Sequence, residues 1–87
     1  MILARVAGRL TSTIHHPTMA GRTLLVLDKL DHEGRPNGGY VIAVDTVGAG
    51  PGEMVIMLDE GNGARQILGE ADLPIRSVVV GIVDELG

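Results

Sequence analysis

Residues Asp45 to Glu53 read DTVGAGPGE, three glycines and a proline held between two apolar runs and closed at each end by a carboxylate. The fold class depends on how this stretch is read. A phosphate cradle would sit between a strand and a helix and imply an α/β domain; a tight turn would sit between two strands. A dinucleotide fingerprint needs G-x-G-x-x-G with a helix after it. Gly48 and Gly50 fill the first two places, but Glu53 occupies the third. A Walker motif needs Gly-Lys-Ser/Thr, which the chain lacks. The segment that follows, EMVIML from Glu53 to Leu58, reads as a strand. The stretch is therefore predicted to be a strand-to-strand turn whose glycines take positive φ.

Outward from that turn, the chain is mostly strand. YVIAVD, Tyr40 to Asp45, precedes it. Before that come the polar connection DHEGRPNGG, Asp31 to Gly39, and the strand RTLLVLDKL, Arg22 to Leu30. At the N-terminal side Ile2, Ala4, Val6, Gly8 and Leu10 alternate with Leu3, Arg5, Ala7, Arg9 and Thr11. Period two predicts one apolar face and one mixed face carrying two arginines. Gly8 in mid-strand predicts a bulge or a sharp bend. STIHHPTMAG breaks the pattern at Pro17 and Gly21. After the fourth strand, DEGNGARQILG predicts a short helix capped by Asn62, formed by Ala64 to Leu68 and ended by Gly69. IRSVVVGIVDEL, Ile75 to Leu86, is the last strand. The expected fold is all-β: a small five-stranded antiparallel barrel with one short helix between strands 4 and 5.

Composition sets the partners. Eighty-seven residues make one small domain with a modest core. With no cysteine, neither disulfides nor thiolate metal sites can staple it, which leaves oligomerisation. Tyr40 is the only aromatic residue, yet the chain is 45% hydrophobic and its mean hydropathy is +0.28. Three strands are apolar on both faces: Leu25 and Leu27 oppose Leu24 and Val26; Met54, Ile56 and Leu58 oppose Val55 and Met57; Val78, Val80 and Ile82 oppose Val79 and Val83. An antiparallel sheet normally wets one face, so the outer face is expected to meet another subunit. No apolar run approaches the roughly 18 residues of a membrane span, and no secretory signal is visible, so a cytosolic protein without a membrane partner is expected.

The chemistry of sites is sparse. Seven basic residues are scattered against eleven acidic ones, a net charge of −4. With one aromatic residue as well, this argues against nucleic acid, whose single-strand binders stack bases along a basic groove. His15 and His16 are adjacent and point opposite ways in an extended segment, and His32 stands apart, so no metal site is expected. Asp45 and Glu53 flank the glycine turn and are the carboxylate pair an enzyme would use. No nucleophile with a base and an orienting third group accompanies them, and neither catalysis nor a cofactor is expected. Arg65, just inside the short helix, suits a bidentate contact with a carboxylate across a subunit boundary. A monomeric OB-like module binding a small ligand or peptide is the alternative.

Taken together, ARVAGRLTST, AGRTLLVLDKLD, AVDTVGAGPGEMVIML, GNGAR and VVVGIVD, in that order and spacing, resemble the vertex-protein family of bacterial microcompartments. These are pentameric shell proteins of ethanolamine and carboxysome type. The resemblance spans residues 1–87 as one pentamer-forming domain. It implies an OB-like barrel closing into a five-membered ring that caps the vertices of a polyhedral shell built otherwise from hexameric tiles. It also implies that Gly48, Ala49 and Gly50 border the axial opening and that the subunit interface involves Asp45, Glu53, Arg65 and Asp84. Three local departures stand out, the first being His15 and His16 in TIHHPTM where the family often carries a Lys. The family's Gly-Ser-Ser-Ala-Arg is Gly61-Asn62-Gly63-Ala64-Arg65 here, and Arg76 replaces a common Asp.

Overall fold

The structure, a computed structural model, describes residues 1–10, 22–59 and 76–84. The short helix expected around Ala64 to Leu68, Arg65, and the histidines His15 and His16 lie outside the described residues. Five strands are present: β1 (Ile2–Leu10), β2 (Thr23–Leu30), β3 (Pro36–Asp45), β4 (Met54–Asp59) and β5 (Ser77–Val83). They close into a barrel in the order β1-β2-β3-β5-β4, with β4 returning to β1. This is the five-stranded Greek-key order of OB-folds, here fully closed. Four seams are antiparallel as expected. The fifth, β3 with β5, is parallel and holds only two register pairs, Val44 with Val78 and Asp45 with Val79.

Alternation fills the interior. Ala4, Val6, Leu25, Leu27, Ala43, Val55, Met57 and Val79 form one buried cluster, joined by Ala49 from the loop after β3. None is aromatic: Tyr40, the one aromatic side chain, is 72% exposed. Leu25, Leu27 and Met57 are therefore the bulkiest fillers of the barrel.

Bulges break the simple face assignment. Val6 pairs with Leu27, but Gly8 pairs with Val26, so Ala7 is an extra residue in β1. A single extra residue exchanges the faces of everything beyond it. Ile2, Ala4 and Val6 face inward, whereas Gly8 and Leu10 join the outer residues Val26 and Leu24. The bend expected at Gly8 is there, and it overturns the single apolar face read through Leu10. A second bulge, at Val80, shifts β5 against β4.

The outer face is itself partly covered. Leu10, Leu24, Val44, Val78 and Leu58 form one cross-strand row contributed by all five strands. Leu24, Val44 and Val78 in this row are buried within the single chain. The two-sided apolarity of β2 and β5 is thus used in part by the subunit itself. β3 also starts earlier than expected. The connection from β2 is only residues 31–35, drawn tight by Asp31, whose Oδ1 accepts from the N–H groups of Glu33 (2.9 Å) and Arg35 (3.0 Å).

Candidate assembly surface

The glycine stretch Asp45–Glu53 folds as two carboxylate-closed turns. Asp45 Oδ1 accepts from the backbone N–H of Val47 (2.9 Å) and of Gly48 (3.0 Å), a local bond pattern typical of Asp in turns. The second turn runs from Gly50 to Glu53, with Glu53 N–H donating to Gly50 O at 3.1 Å. Pro51 and Gly52 take its central places, and Gly52 has φ of 88°. Proline first and positive-φ glycine second is the type II pattern. Glu53 Oε1 then accepts from Gly50 N–H at 2.7 Å. Gly52 N–H donates to Val6 O at 2.8 Å, which ties the turn to β1. The N–H groups that a phosphate would need at Val47, Gly48, Gly50, Gly52 and Glu53 are already bonded within the chain.

Two arginines hold the loop from β1. Arg5 Nη1 donates to Gly52 O at 2.9 Å, and Arg9 Nη2 donates to Ala49 O at 3.4 Å. Without the Ala7 bulge both would lie on one face of the strand. The bulge puts Arg9 beside inward-facing Leu25 and leaves Arg5 beside exposed Asp28. The mixed face of the first strand was the sequence signal for this grip, but the pattern alone gave the arginines no target.

Of the residues expected at the axial opening, Gly48 is exposed and Gly50 half-buried. Ala49 is wholly buried in the inner cluster. Its methyl group packs in the subunit's own inner cluster. Of the expected interface residues, Asp45 is spent on its own turn. Glu53 and Asp84 come together in one open groove of about 410 Å³, also lined by Arg5, Met54, Ile82 and Val83. Ile82 there is 40% exposed. On β3, Tyr40 and Ile42 are exposed, and Ile42 pairs across to half-buried Val26 on β2. The single subunit thus carries an exposed apolar patch on β2 and β3 and, on another flank of the barrel, a groove in which Arg5, Glu53 and Asp84 surround exposed Ile82.

Several other polar groups among the described residues are bonded locally. Arg76 Nη2 donates to Asp59 O at 3.3 Å, and its Nε lies 3.7 Å from Asp59 Oδ1. Buried Ser77 donates to the same carboxylate at 2.7 Å. His32 lies 3.7 Å from Glu33, which pairs with Arg35. No group of three or more His, Cys, Asp or Glu with metal-holding geometry occurs among the described residues. Asp45→Ala is expected to free the Val47 and Gly48 N–H groups and lower stability by about 0.5–1.5 kcal/mol, since both can turn to water. Chemical denaturation against the parent chain measures it, and an unchanged midpoint would remove Asp45 from its structural role.

A protein-family model described as "Ethanolamine utilisation protein EutN/carboxysome" matches residues 1–84. The chain is 38% identical over 86 residues to the bacterial microcompartment shell vertex protein EutN of Escherichia coli K12, covering 99% of this chain and 90% of that protein. It is 43% identical over 84 residues to the carboxysome shell vertex protein CcmL of Thermosynechococcus vestitus BP-1, covering 97% and 84%. Among solved structures, the GrpN pentameric microcompartment shell protein from Rhodospirillum rubrum matches with a TM-score of 0.86 at 40% identity, covering 100% of this chain and 98% of that one. These matches run through all five strands and the Asp45–Glu53 loop, and by them the chain belongs to the EutN/CcmL family.

Proposed function

We propose that this chain is a structural shell protein, a homopentamer that caps the five-fold vertices of a polyhedral bacterial microcompartment in the cytoplasm. Its neighbours in the shell are hexameric shell proteins, and it has no catalytic role. The observation that carries this reading is the pair of unlike surfaces on one barrel, an apolar patch on one flank and a charged groove with an exposed isoleucine on another. A closed ring is built from a heterologous contact, in which one face of each subunit meets a different face of the next. Tyr40, Ile42 and Val26 on β2 and β3 offer one face; the groove lined by Arg5, Glu53, Met54, Ile82 and Asp84 offers the other. Glu53 and Asp84 lie in the second face, where a neighbour's basic group would meet them, and Arg65 completes the proposed interface set. Gly48 and Gly50 border the axial opening with backbone rather than side chain. The carboxylates flanking the loop are occupied by its own N–H groups, which supports structure over catalysis.

Native mass spectrometry of the full chain at micromolar concentration tests the ring. A pentamer is expected; a stable monomer would sink the reading in favour of a monomeric OB-like binding module. Melting separates the two again, since an obligate ring melts at a temperature that rises with protein concentration and a monomer does not. Ile82→Asp is expected to abolish the pentamer while leaving the strand content seen by circular dichroism intact, because Ile82 is already 40% exposed in the isolated subunit. Electron microscopy of shells made without the chain is expected to show open corners.

A further inference from the structure

Both asparagines of the chain, Asn37 and Asn62, are followed by glycine. We infer that Asn37 is a self-modification site, poised by the fold to cyclise onto the Gly38 backbone nitrogen and convert to aspartate and isoaspartate.

Three features around Asn37 carry the inference. First, the β2–β3 ladder skips it. Leu30 pairs with Pro36 and Asp28 with Tyr40, so Asn37, Gly38 and Gly39 have no cross-strand partner in the register. A regular ladder would pair this backbone residue by residue with β2; here the register is interrupted at the start of β3, and Asn37 is exposed. Second, Gly38 has φ of 91°, and nothing lies within 4 Å of where its Cβ would be. The attacking nitrogen therefore belongs to a residue with no side chain and open space beside it. Third, Asn37 Oδ1 accepts from Gly39 N–H at 3.1 Å. That bond closes a turn-like ring containing the Gly38 nitrogen. It folds the side-chain amide back over the following peptide, and it draws electron density from the amide carbon that must be attacked.

The reaction balances with water alone. Hydroxide takes the Gly38 N–H proton, and the nitrogen forms a bond to Asn37 Cγ. The Cγ–NH2 bond breaks, and the amine leaves as ammonia with a proton from solvent. Water then opens the cyclic imide at either carbonyl, giving aspartate or isoaspartate, with no change of oxidation state. Each event makes the formal charge, −4 in the parent chain, one unit more negative. The isoaspartate product also lengthens the main chain by one carbon, three residues before exposed Tyr40.

The test uses the full chain carrying Asn62→Gln, so that all signal comes from Asn37. The protein is incubated at neutral and at mildly alkaline pH beside a free peptide spanning Arg35–Val41. The fragment containing Asn37 is then followed by mass spectrometry for replacement of NH2 by OH, and by isoaspartate methyltransferase labelling. Conversion in the folded chain at least as fast as in the peptide, and faster at the higher pH, is expected. Conversion slower than in the peptide would overturn the inference, since the fold would then protect the residue. Asn37→Gln is expected to abolish the mass change, and a change that persists in this variant would overturn the assignment to Asn37. Gly38→Ala is expected to slow it, and an unchanged rate there would likewise count against it.

Discussion

Leu27→Ala is expected to lower the stability of the subunit by about 2–5 kcal/mol, the usual range for truncating a buried leucine. Leu27 is fully buried in the inner cluster, between its register partners Val6 on β1 and Val41 on β3. A barrel without an aromatic filler has few side chains able to swing into the space left behind. Domains of this kind are stable by only about 5–15 kcal/mol in total, and each 1 kcal/mol lost moves the midpoint by roughly 4–8 °C at this size. Thermal denaturation at matched protein concentration reads the effect. A loss well under 1 kcal/mol would mean that the interior relaxes around the gap and is not packed as described.

Ala49→Leu is expected to cost about 1–3 kcal/mol, because the added carbons must enter a filled interior. The position is fully buried and joins the cluster of Ala43, Val55 and Met57. Read as sequence, the same substitution tests crowding at a ring axis and should disturb closure. The structure moves the cost into the subunit: destabilisation should be measurable under conditions where no ring forms. Loss of the pentamer with an undiminished subunit midpoint would instead put the cost at the axis.

The difference between those two readings shows what a sequence conveys about this fold. The five strands were legible because each is a run of period-two or continuous apolar residues. The turn at Asp45–Glu53 was legible because Glu53 stands where a third glycine would have to be. The inward course of Ala49 was not, since it follows from where two bonded carboxylates and two β1 arginines pin the loop. The parallel seam leaves no periodic trace either, being only two register pairs long. Bulges at Ala7 and Val80 defeat face assignment by counting, although Gly8 did flag the first. Pro36 to Gly39 looked like turn because of its composition, yet the strand begins there and the departure is a skipped register. Glu53 and Asp84, far apart in sequence, meet in one groove because β4 pairs with β5. The row Leu24–Val44–Val78 accounts within one chain for apolar surface that sequence reasoning assigned wholly to a neighbour.

The double turn at Asp45–Glu53 has a consequence for anyone wishing to redesign this loop. Its positions are nearly all committed. Asp45 and Glu53 are tied to backbone N–H groups, Thr46 Oγ1 donates to Val79 O, and Val47 and Ala49 pack on or in the core. Gly48 and Gly52 hold positive φ, and a Cβ on Gly50 would meet Glu53 Oε1 at 3.3 Å. Only exposed Pro51 could be exchanged without undoing a contact, at the modest expense of its pre-set φ. A chemical handle, a charge or a fluorophore meant for this loop therefore has one address, repeated once per copy of the chain.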